Sequence, residues 1–201
     1  AEQVCSGDGV DQAEVAELLA RLVDRSLVVA DGQPLPRYRL PESVSAYCRQ
    51  RLQEAGELAS TQARHRQYYT SFAEHADPRL RGPQQREWLQ ALDAETANLQ
   101  AALTDAARHR DAVTALRLTC ALAWYWVLRG RLDDGSRSLL TALTVPGPAP
   151  EELRTTAQTW YTAIARLAGQ EPDSTVRVRG RLPDPTVHAS DPTALARAQG
   201  L

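Results

Sequence analysis

The chain has 201 residues, 43% apolar and 24% charged, with a net charge of −2. This is the make-up of a globular protein of one domain or two small ones, and it excludes a fibre or a disordered tail. All basic residues other than histidine are arginine, and the absence of lysine excludes a Walker-type phosphate loop and Schiff-base chemistry within these residues.

The first helical pattern opens at Asp11, which with Glu14 forms a plausible capping pair; Val15, Leu18, Leu19, Leu22 and Val23 then share one face up to about Asp24. Ser26 to Ala30 has the β-branched character of a strand, Asp31-Gly32 and Pro34 to Pro36 break it, and Arg37-Tyr38-Arg39-Leu40 alternates like a partner strand. Pro41 suits the first position of a helix striped by Val44, Tyr47, Cys48 and Leu52 and stopped by Gly56. Helix, hairpin and helix in this order make the wing of a winged-helix module.

Beyond Gly56 the strong patterns have helical period. Tyr69, Phe72 and Ala76 stripe a helix closed by Asp77-Pro78; Leu92, Thr96, Leu99 and Leu103 stripe one reaching about Arg108. Val113, Leu116, Cys120, Trp124 and Val127 lead to Gly130, followed by helices over about Leu132–Leu143 and Glu151–Ala168. Trp124-Tyr125 and Trp160-Tyr161 lie 36 residues apart, with Ala121 over Ala157, close to the period of tetratricopeptide-like helix pairs. Gln170 to Ser190 loses its periodicity and reads as a loop, and Asp191-Pro192 opens a last helix. A helical array ending inside a helix is expected to be truncated, and the missing methionine, also at position 1, implies a chain cut from something longer or processed.

The candidate sites fall in three groups. The helix before the wing carries Asp11, Glu14, Glu17 and Asp24 against Arg21 and Arg25, which favours a packing role over contact with phosphates; the wing adds only Arg37 and Arg39. Tyr125, Trp126, Trp160 and Tyr161 are candidates for a concave ligand groove, although large aromatics at helical spacing read as core first. Trp126, about 200° around the helix from Trp124, is the better groove candidate and Trp124 the better core candidate. Cys48 lies on an apolar stripe and reads as an inert thiol rather than the partner of His65 or His75.

His65, His75, His109 and His188 lack metal-ligand spacing, and the three cysteines, Cys5, Cys48 and Cys120, contain no CxxC pair. Asp133-Asp134-Gly135 reads as a turn and helix cap rather than a calcium loop. Arg177, Arg179 and Arg181 read as a solvated loop or as a surface for an acidic partner. No run is long enough to cross a bilayer and no signal segment opens the chain, which places it in the cytoplasm with no membrane partner.

Three ordered blocks carry a resemblance: "LLARLVDRSLVVADGQPLPRYRLPESVSAYCRQRLQEAGE", "RHRQYYTSFAEHADPRLRGPQQREWLQALDAETANLQAAL" and "ALRLTCALAWYWVLRGRLDDGSRSLLTAL". Over about residues 3 to 168 the chain resembles the region after the NB-ARC ATPase module in large bacterial transcriptional regulators of the STAND class, the SARP (AfsR-like) and ATP-binding LuxR-type proteins. The resemblance implies an upstream DNA-binding effector domain and an ATP/ADP switch, with the winged helix packed on the nucleotide module and the helical array sensing a protein or small-molecule effector. DNA would then be bound only through a separate effector domain, and this chain would hold no cofactor of its own. Leu40-Pro41-Glu42 falls where the family has a Met-His-Asp motif, and Pro41 replaces the histidine that touches ADP in some relatives. Arg37, Arg39, Pro41 and Glu42 are therefore candidates for an inter-domain contact.

The expectation is a mainly α, non-enzymatic chain: a partial winged helix with one β-hairpin (1–56), a helical connector (57–110) and a truncated tetratricopeptide-like array (111–201). The alternative is a stand-alone winged-helix DNA-binding protein with a helical dimerisation or ligand-binding domain.

Overall fold

The computed structural model describes residues 1–7, 9–30 and 37–171, which divide into two compact units, Ala1–Tyr68 and Tyr69–Leu201. The tip of the hairpin, Arg177, Arg179 and Arg181, the loop from residue 172 onward and the helix expected at Asp191-Pro192 lie outside the described residues.

The first unit begins with α1 (Glu2–Cys5) and α2 (Gln12–Asp24). Asp11 caps α2 as expected, its Oδ1 accepting from the Ala13 amide at 3.2 Å. The chain leaves α2 through Ser26, at φ +57°, and the Leu27 and Val28 amides close back on the Leu22 carbonyl. β1 (Val29–Ala30) and β2 (Tyr38–Arg39) pair antiparallel, Val29 opposite Arg39 and Ala30 opposite Tyr38. Both strands are shorter than the sequence implied.

α3 (Glu42–Glu54) starts one residue later than expected, with Pro41 as its cap. Pro41 keeps a helical φ, but its ψ of 148° is extended, so only its carbonyl joins the helix, accepting from Ser45 at 2.8 Å. Gly56, at φ +75°, follows the end of α3. Of the α3 stripe, Val44, Cys48 and Leu52 are half-buried, whereas Tyr47 is 62% exposed and does not belong to it. The unit also holds the first turns of α4 (Leu58–Arg79), whose Arg64 donates through Nε to the Val4 carbonyl at 3.0 Å.

The second unit is a helical array with one continuous core. α4 runs through the expected stop at Asp77-Pro78 to Arg79: Pro78 lacks only its own N–H, and the Leu80 amide still reaches the Ala76 carbonyl at 3.0 Å. The single helix expected over Leu92 to Leu103 is two, α5 (Gln85–Ala94) and α6 (Thr96–Arg108), broken at Glu95. Side chains stabilise the break. Thr96 Oγ1 bonds back to the Asp93 carbonyl at 2.9 Å, while the Glu95 carboxylate accepts from Tyr69 at 3.0 Å and Asn98 at 2.6 Å.

α7 (Ala112–Arg129) is capped by Asp111 and ends at Gly130 in the left-handed region, where the Arg131 amide returns to the Trp126 carbonyl at 2.9 Å. α8 (Leu132–Thr144) and α9 (Glu151–Leu167) complete the described array. α7 packs on α6, α8 and α9, and α8 packs on both α7 and α9. α7 is accordingly apolar around most of its circumference, and Leu116, Leu118 and Tyr125 are among its fully buried side chains. Asp133 and Asp134 lie inside the first turn of α8 rather than at its cap.

Candidate functional site

On the first unit the acidic helix presents all its charges outward. Asp11, Glu14, Glu17, Arg21, Asp24 and Arg25 are exposed, leaving a net of two negative charges on the surface that a groove-reading helix would bring to DNA. Beside them the unit exposes Leu18, Leu22, Leu27, Val29, Tyr38, Leu40 and Tyr47. Leu18 and Leu22 stand one turn apart on α2, Val29 and Tyr38 on the hairpin. Its buried apolar side chains, among the described residues, are Val15 and Val28, at 3% and 4% exposure. More large apolar side chains therefore face outward on this unit than lie in its core, among the described residues.

The sequence-chosen residues of the wing are placed around the end of the hairpin and the start of α3. Arg37 and Pro41 are half-buried and Arg39 and Glu42 exposed. A depression of about 390 Å³ is lined by Ala1, Glu2, Gln3, Ala16, Leu19, Tyr38 and Tyr68.

On the second unit the aromatic assignment from the sequence is corrected. Trp126 is 7% exposed and Tyr125 and Tyr161 are buried in the core, so these three do not line an open groove. The reason is the position of α7 between several neighbours: the face read as outward packs on α8, where Trp126 lies against Gly135. The half-buried pair is Trp124 and Trp160, with ring centroids 6.4 Å apart and planes at 50°.

Arg81 lies over the Trp124 ring, 5.4 Å from its centroid, and its Nη1 is held at 2.6 Å by Asp77 Oδ1 one turn earlier. Sequence reasoning missed Arg81, although the Asp77–Arg81 spacing marks an ion pair along a helix. Two buried donors here, Arg81 Nε and Trp124 Nε1, find no hydrogen-bond partner among the described residues.

A second polar cluster ties the α5–α6 break to the end of α7. Tyr125 donates to Asp93 Oδ1 at 2.7 Å, Arg129 pairs with Asp93, and Arg131 donates to the Tyr125 hydroxyl at 3.1 Å. Burial, followed by the hydrogen bond to Asp93, raises the Tyr125 pKa against the opposing effects of Thr96 and Arg131. With its donors and acceptors matched, this cluster is a brace.

Cys120, one turn before Trp124, is pushed up to about 12 by burial and then by the Asp77 carboxylate, so it is a neutral thiol and not a nucleophile. No group of His, Cys, Asp and Glu among the described residues could hold a metal ion, and no helix there is long and apolar enough to cross a membrane.

The winged helix-turn-helix domain family matches residues 1–53. The chain thus carries this domain at its N-terminus. Over 133 residues the chain is 38% identical to proteins from Mycobacterium tuberculosis and Mycobacterium bovis that are provisionally named HTH-type transcriptional regulators. The matched region covers 66% of this chain and 15% of each relative, so the chain spans a small part of the curated proteins it resembles. No solved structure matches it. The acidic, apolar surface described above is therefore that of a winged helix-turn-helix domain, with α2 preceding the wing.

Proposed function

We propose that this chain is a regulatory segment of an ATP-dependent bacterial transcriptional regulator of the STAND class, cytoplasmic and without catalysis of its own. In this reading the winged helix packs on an NB-ARC ATPase module, Arg37, Arg39, Pro41 and Glu42 face that module, and the helices from about residue 111 are a tetratricopeptide-like sensor reached through the connector at 57–110. ATP or ADP belongs to the partner module, and the choice between a SARP and a LuxR-type effector domain stays open.

The observation that carries the proposal is the surface of the winged helix: acidic along α2 and rich in exposed large apolar side chains over a thin core. Desolvating such a surface against protein is favourable, whereas bringing it to phosphates is not. The 36-residue offset that places Trp124 of α7 against Trp160 of α9 supports the repeat reading.

Two measurements test it. In a duplex-DNA titration at 50 mM salt, the chain is expected to stay at or above the non-specific range of roughly 1–100 µM. Sub-micromolar binding that weakens steeply with salt would instead establish the second reading, a DNA-binding winged helix, which the helix-turn-helix family match favours. Translation of the gene upstream of Ala1 is expected to show GxxxxGK[ST] between a strand and a helix, and its absence would remove the ATPase partner.

A further inference from the structure

We propose that Arg81, Trp124 and Trp160 form a binding site for a small neutral molecule bearing a carbonyl acceptor on an apolar, planar body. The inference rests on the sensor reading above and names the ligand class for it.

A buried N–H without an acceptor is costly and uncommon in a folded protein, yet the second unit buries two on side chains in mutual contact, Arg81 Nε and Trp124 Nε1. The guanidinium cannot turn away from this arrangement. Its Nη1 is fixed by Asp77 Oδ1 at 2.6 Å and the Asp77 carbonyl at 2.9 Å, and its Cζ lies over the Trp124 ring, 5.4 Å from the centroid. Both donors therefore stand pre-oriented, a low-entropy way to present hydrogen bonds to a ligand.

Charge decides the class of acceptor. Asp77 already neutralises Arg81, and Cys120 alongside is an uncharged thiol, so an anion entering here would gain no net positive charge and would meet the Asp77 carboxylate. A neutral carbonyl oxygen can accept hydrogen bonds from such donors without that repulsion. The rings of Trp124 and Trp160, packed at 6.4 Å between centroids with planes at 50°, supply apolar surface for the body that carries it.

The test uses benzamide, benzoate and benzyl alcohol as probes on the whole chain, followed by the indole N–H resonance of Trp124 in a nitrogen–proton NMR spectrum. Trp124→Phe assigns the resonance and removes the donor while keeping an aromatic ring. Benzamide is expected to move this resonance saturably, with a Kd of roughly 1–10 mM for so small a fragment, while benzoate and benzyl alcohol bind at least tenfold more weakly. Arg81→Gln, checked for folding by its circular dichroism melt, is expected to weaken benzamide at least fivefold; Trp124→Phe, read through the Trp160 resonance, should do the same.

A Trp124 resonance unmoved by benzamide up to 50 mM would overturn the site and leave a buried water as the partner of the two donors. Benzoate binding as tightly as benzamide would overturn the ligand class. Benzamide binding here without any effect on the longer regulator's ATP turnover would leave the site standing and defeat only the sensor reading.

Discussion

The packing of Trp126 against Gly135 yields a prediction that separates core from groove. A Cβ added at Gly135 would lie 3.1 Å from Trp126 Cβ and Cε3 and 3.2 Å from Cδ2. The Trp126 Cβ is fixed by the backbone of α7, so the neighbour cannot rotate aside. Gly135→Ala gains up to about 1 kcal/mol of helix propensity, but the overpacking costs about 1–3 kcal/mol, and net destabilisation is expected.

Trp126→Ala removes a side chain burying about 150–250 Å² and is expected to cost about 4 kcal/mol. In a helical unit of this size that corresponds to a fall in Tm of more than about 10 °C, read by tryptophan emission during thermal unfolding. Combining the two changes should relieve the ring contacts and leave a coupling of at least about 1 kcal/mol. A Trp126→Ala shift below about 3 °C, or strict additivity of the pair, would refute the core assignment and return Trp126 to a groove.

Two further outcomes follow from local geometry. Gly147→Ala places a Cβ 2.9 Å from the Arg110 carbonyl oxygen at φ +145°, where L-residues are strained, so a loss of about 2–4 kcal/mol is expected in urea melts; an unchanged midpoint would sink that reading of the α8–α9 connection. For Cys120, the folded pKa is raised from its ordinary 9.0 to about 12. The unfolded chain therefore binds fewer protons than the folded one between about pH 9 and 12, and stability must fall as pH rises through that window, a slope that Cys120→Ala should reduce. At pH 8, mass mapping after iodoacetamide treatment should find exposed Cys5 modified ahead of the partly buried Cys120, and equal reaction of both would contradict the raised pKa.

The sequence was most legible where a local rule acts alone. Asp11 caps α2, Gly56 and Gly130 follow the ends of α3 and α7, and the hairpin pairs where alternating residues face one another, because each depends on residues within one or two turns. It was least legible on α7, where a single-stripe reading assigned Trp124 to the core and Trp126 to a groove. A helix with neighbours on several sides has no unique apolar stripe, and which tryptophan is half-exposed is decided by α4, α8 and α9. The break at Glu95 was hidden for a related reason: the apolar period runs across it unbroken, while one of the hydrogen bonds at the break comes from Tyr69, 26 residues earlier, which only the folded chain brings near. Arg81 escaped notice because its meaning depends on Trp124, 43 residues away.

The two units treat similar residues in opposite ways, and this difference bears on function. Among the described residues, the helical unit keeps its large apolar side chains covered apart from Leu167, whereas the winged helix-turn-helix unit exposes seven. A DNA-reading domain can expose a few such residues, but it must offset them with positive charge along the helix that approaches the phosphates. α2 does the reverse, with four carboxylates against two guanidinium groups, all exposed. On the proposed reading, a protein partner would bury Leu18, Leu22 and Val29 and meet the acidic edge with basic side chains. The helix-turn-helix match is compatible with DNA binding, the charge and apolar exposure of α2 favour the proposed protein partner, and the duplex-DNA titration decides between them.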